Sequence, residues 1–70
     1  MTESVYKVIR LVGTSTESWE KAAAAAVQAA GQSLKDLRIA EVAELDMVLE
    51  DGKVTAYRAK VNVSFKYHQD

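Results

Sequence analysis

The residues best suited to chemistry in this chain are carboxylates. Glu41, Glu44, Asp46, Glu50 and Asp51 follow one another through a stretch otherwise rich in Val, Leu and Met. Glu44 and Asp46 are two residues apart. On an extended strand that spacing sends both side chains to one face, roughly 7 Å apart along the backbone. Two such carboxylates, or their copies from symmetry-related subunits, can converge on a hard cation that prefers oxygen ligands. The stretch is not an EF-hand, whose alternating acidic loop with a central glycine is absent. The same residues also read as solvated strand acids, paired with Arg38, Lys53 or Arg58.

Other chemistries are excluded by residue type. Cysteine is absent, which removes disulfides, thiol catalysis and thiolate metal sites. The single histidine, His68, stands near the end of a 70-residue chain, where a side chain is normally solvated. One histidine without cysteine makes neither a zinc site nor a histidine acid–base pair. Gly13, Gly31 and Gly52 are too scattered for a phosphate-cradling loop, and no Gly-x-Ser-x-Gly elbow occurs. A non-catalytic protein is expected. The net charge of -1 carries no basic stripe, so no nucleic-acid partner is expected. No apolar run nears the roughly 20 residues that span a bilayer. The start Met1-Thr2-Glu3-Ser4 has no signal-peptide character. A soluble, cytoplasmic protein is the expectation.

The elements that must carry these residues are legible from periodicity. Val5 to Val12 is β-branched and reads as a strand ending at Gly13. Val5, Ile9 and Leu11 share one face, while Tyr6, Val8 and Val12 share the other, so both faces look partly buried. Thr14 or Ser15 then reads as a helix cap, with Thr14 and Glu17 at capping-box spacing. Trp19, Ala22, Ala23, Ala26, Val27 and Ala30 form one apolar helical stripe, which makes Trp19 a packing residue rather than a cofactor platform. Small alanines let a helix lie close on a sheet. Gly31 marks the helix end, although the pattern is compatible with an extension to about Lys35. Arg38 to Glu50 reads as a second strand without clean alternation. Asp51-Gly52 predicts a type I′ hairpin. In the third strand, Val54 to Tyr67, the residues Tyr57, Ala59, Val61, Val63 and Phe65 alternate with Arg58, Lys60, Asn62, Ser64 and Lys66. The expected fold is α+β, a single β-α-β-β domain over 1–70 in which a three-stranded antiparallel sheet curls around one helix.

A domain this short buries only about 60% of the surface its unfolded chain exposes. Small folds add disulfides, metals or oligomerisation, and disulfides are unavailable here. Hydrophobic residues still make up 49% of the sequence, so burial between subunits is the simplest destination for them.

The run VYKVIRLVGTS at 5–15 resembles the opening of a dodecin. The resemblance continues through the alanine-rich helix, through LRIAEV at 37–42, and into YRAKVNVSF at 57–65. It implies a hollow homo-dodecamer that binds and stores small ligands, most often flavins. In flavin-binding members a Trp near the start of the second strand stacks on the flavin, and a Gln on the third strand hydrogen-bonds it. The matching positions here hold Ile39 and Arg58. Isoleucine has no π face and arginine no acceptor, so the family's usual flavin contact is not expected. The stretches SWE at 18–20, Glu44 to Met47 and VSFK at 63–66 are more similar to the calcium dodecins, which lack the stacking Trp. That resemblance implies calcium as the bound ion, with Glu44 and Asp46 as ligands; Glu17 is a third candidate, since it follows the Gly-Thr-Ser turn where some dodecins place an acidic residue near a metal. Three readings follow: a calcium-binding or storage oligomer, a flavin binder with an altered pocket, and a purely structural shell.

Overall fold

The computed structural model describes residues 3–67, so His68 lies outside the described residues. Four elements follow in order: β1 (Tyr6–Ser15), α1 (Trp19–Ser33), β2 (Leu37–Glu50) and β3 (Lys53–Lys66). The strands form one antiparallel sheet in the order β1-β3-β2. This is the expected β-α-β-β, α+β architecture. β3 is central, and β1 and β2 are its two open edges.

Gly13 does not end β1. The strand runs on to Ser15, and the glycine serves close packing instead. A Cβ at Gly13 would lie 1.9 Å from the Ala22 carbonyl oxygen and 3.2 Å from the Ala26 Cβ. The helix therefore rests almost on the strand backbone at this point. The cap is also shifted from its sequence expectation. Ser18, not Thr14 or Ser15, caps α1, its hydroxyl accepting from the Lys21 amide at 3.1 Å. Ser15 is used one step earlier, its hydroxyl accepting from the amides of Glu17 (3.0 Å) and Ser18 (3.4 Å), which turns the chain out of β1. Gly31 lies inside the helix, which closes with the Leu34 amide donating to the Ala30 carbonyl at 3.0 Å.

The helix packs on β1 and β3. Ala22, Ala26, Ala59, Val61 and Val63 form the buried centre, with Ile9, Leu11, Ala23, Val27 and Leu37 against it. At the hairpin, Asp51 (φ 52°) and Gly52 (φ 76°) both take positive φ, as a type I′ turn requires.

Lengths decide the rest. A 14-residue strand reaches about 46 Å, whereas the 15-residue helix reaches about 22 Å. The β2–β3 hairpin therefore projects beyond α1, and the chain measures 54 × 20 × 15 Å. Its radius of gyration is 14.6 Å, against about 11 Å for a compact chain of this length. The buried core is made only of alanine and valine, while Val8, Ile39, Leu45, Met47, Leu49 and Val54 are exposed. Ile9, Leu11, Val27 and Leu37 are half-buried against that core, and the remaining large apolar side chains form an exposed set of unusual extent for a domain standing alone.

Candidate functional site

β2 places the acidic side chains through irregularities in its pairing. Val42 pairs with Val61, and the next paired residue is Glu44, opposite Lys60. Ala43 is the extra residue of a β-bulge. Without it, Val42 and Glu44 would fall on one face. With it, Val42 and Leu45 stay on the helix side, opposite Val61 and Ala59. Glu41, Glu44 and Asp46 share the other side, opposite Asn62, Lys60 and Arg58.

On that outer face the acids meet cations. Arg58 grips Asp46 with both arms, Nε to Oδ1 at 2.7 Å and Nη2 to Oδ2 at 2.8 Å. The Lys60 ammonium lies 3.2 Å from Glu44 and 4.0 Å from Asp46. Arg10, reaching over from β1, stands 3.4 Å from Glu44. Beside this ladder, Asn62 donates to Glu41 at 3.1 Å. The hydrogen bonds from Arg58 hold the Asp46 carboxyl below its ordinary value of 3.8; partial burial opposes this, and the charges of Arg58 and Lys60 reinforce it. Arg58 is raised in turn, chiefly by its hydrogen bond to Asp46.

Carboxylate oxygens are the donor type that hard cations take. Glu44 and Asp46 both approach one positive point, the Lys60 ammonium. Two carboxylates offer at most four oxygens, fewer than the six to eight that calcium takes. Among the described residues, no three His, Cys, Asp or Glu side chains gather closely enough to hold a metal. Glu17 therefore does not join Glu44 and Asp46 within one chain; it pairs with Lys21, one turn into α1. A calcium site built on these residues would need its remaining oxygens from water, backbone or another chain.

Ile39 and Arg58 also stay apart within a chain. Ile39 is 66% exposed on the outer face opposite Ser64. Arg58 lies six residues away along β3, about 20 Å. Trp19 is half-buried and packs at the edge of the fold rather than in the alanine–valine core. Its indole donates to the Asp46 carbonyl at 3.0 Å and meets Tyr57 edge-on, centroids 5.1 Å apart. It borders a groove of about 480 Å³ between α1 and β2, lined also by Glu20, Ala23, Val42 and Leu45. Sequence reasoning missed Arg10 and Lys60 as partners of Glu44. The available signal was the matching two-residue spacing of Arg58 and Lys60 on the polar face of β3.

The fold is that of a small α+β protein, a three-stranded antiparallel sheet on one helix with an acidic pair on the sheet's outer face. The chain belongs to the dodecin family, whose family model, described as Dodecin, matches residues 5–68. It is 58% identical over 64 residues to the calcium dodecin of Mycobacterium tuberculosis, covering 90% of this chain and 89% of that one. It is 35% identical to the dodecin of Thermus thermophilus over 65 residues, 93% and 94% of the two chains. Among solved structures it is similar to dodecin from Streptomyces coelicolor, with a TM-score of 0.90, 30% identity and full coverage of both chains. It is also similar to the Mycobacterium tuberculosis calcium dodecin, described as calcium-chelating with a calcium-binding site. That match has a TM-score of 0.82 and 53% identity over 96% of each chain. No helix among the described residues is long and apolar enough to cross a membrane.

Proposed function

We propose that this protein is a non-catalytic calcium-binding or storage protein working as a closed homo-dodecamer, with Glu44 and Asp46 as calcium ligands and Glu17 as a third ligand supplied across a subunit boundary. The observation that carries the calcium reading is the convergence of Glu44 and Asp46 on a single positive point, the Lys60 ammonium. The similarity to a calcium dodecin over most of the chain supports it. The assembly is supported by the exposed Leu45, Met47, Leu49 and Val54 on a hairpin that outruns its helix. Packing against copies of itself removes this exposed apolar surface from water. In such an assembly, neighbouring chains supply the oxygens that one chain lacks.

Sedimentation combined with equilibrium dialysis against calcium tests both halves. The expected result is a mass near twelve subunits across micromolar concentrations, with saturable calcium binding lost in the Glu44→Gln, Asp46→Asn double variant. A stable folded monomer would sink the assembly. Calcium binding that survived the double substitution would remove these two residues from the site.

A further inference from the structure

The outer face of the sheet carries its own cations at the place where calcium is proposed to bind, and that juxtaposition has a functional consequence. Along this ladder Arg10, Lys60 and Arg58 stand against Glu44 and Asp46, with Glu41 beside them on the same face, held by Asn62. Each of the two carboxylates already has at least one cation within 3.4 Å. A divalent ion approaching Glu44 and Asp46 therefore meets carboxylates that are already compensated. Arg58 engages both oxygens of Asp46 in a planar fork, the strongest geometry available to an arginine and a carboxylate. Lys60 occupies the gap between the two acids.

We infer that Arg58 and Lys60 are built-in competitors of calcium that set the affinity of the Glu44–Asp46 pair. This rests on the proposed function and deepens it, by naming what regulates the site. The cations do two things at once. They hold the acidic side chains in place without metal, relieving the repulsion that two neighbouring carboxylates would otherwise suffer. They also make calcium entry conditional on moving the Lys60 ammonium aside and loosening the Arg58 fork, because like charges a few ångströms apart repel even in a solvated site. The pair then loads only when calcium is abundant and returns to its internal ion pairs when calcium falls. Arginine at position 58 is the stronger competitor, being forked and always charged, while Lys60 is a single mobile point charge.

Calcium titration calorimetry on the assembled protein tests this, with Arg58→Gln and Lys60→Gln compared against wild type. Lys35→Gln, outside the ladder, controls for loss of one positive charge from the subunit. Each variant is first checked for an unchanged mass by sedimentation; if Arg58→Gln does not assemble, Lys60→Gln carries the same criterion. The expected result is calcium binding at least about tenfold tighter in Arg58→Gln, a smaller gain in Lys60→Gln, and little change in Lys35→Gln. Affinity in the two ladder variants that is equal to or weaker than the Lys35→Gln control would overturn the inference. Should wild type bind no calcium while Arg58→Gln does, competition stands and the proposed function falls. Binding by none of the proteins overturns both.

Discussion

Gly13 fixes how near the helix comes to the sheet, and nothing larger fits. The carbonyl oxygen of Ala22 occupies the space a Cβ would need, and backbone atoms cannot step aside as a flexible side chain can. Gly13→Ala should lower stability by about 3 kcal/mol, read as a depressed melting temperature; an unchanged melting curve would mean that α1 does not sit this close. Asp46 is a second decisive residue. Arg58 depresses its pKa below 3.8. The pair's contribution is therefore complete above that unfolded-state value and disappears as pH falls through the lower folded value. Because the pair is partly open to solvent, the effect is small. Stability against pH for wild type and Asp46→Asn should show a gap at neutral pH that closes below about pH 4. A gap that widened on acidification would contradict the pairing.

At the scale of elements, the hairpin turn is governed by backbone conformation alone. Gly52 has φ +76°, and a Cβ at this position would meet nothing within 4 Å. Gly52→Ala should cost about 1 kcal/mol from the left-handed conformation itself, measured by thermal or denaturant unfolding, and a neutral substitution would argue against the type I′ geometry. The helix stripe, the alternation of β3 and the Asp51-Gly52 turn were all readable because each follows one period or one dihedral requirement. β2 was not. Arg38 and Ala43 are passed over in its pairing, so apolar and polar residues change step along the strand and no single period fits. The register at the acidic pair was hidden for the same reason. Counting back residue by residue from Glu50 and Lys53 sets Asp46 opposite Tyr57. Only the irregularity after Val48, which passes Thr55, brings Asp46 opposite Arg58. The ion ladder thus depends on long-range pairing that local sequence does not encode. The Ser18 cap was obscured by a nearer rival, since Thr14 and Ser15 have the same chemistry and Ser15 is spent on ending β1.

At the scale of the whole molecule, one uneven distribution underlies the account. The fully buried residues are small and many of the large apolar ones are exposed, so in the proposed assembly stability is tied to neighbouring chains and to whatever the assembled state binds. A ligand held only by the assembly stabilises it by mass action, by about 2.7 kcal/mol at one hundred times its dissociation constant. The most direct measurement is the melting temperature of the oligomer in saturating calcium and in chelator, for wild type and for the Glu44→Gln, Asp46→Asn variant. The account predicts that calcium raises the wild-type melting temperature and leaves the double variant, of unchanged mass, unmoved. An equal calcium response in both proteins would contradict it, leaving Glu44 and Asp46 as ordinary members of a surface ion ladder.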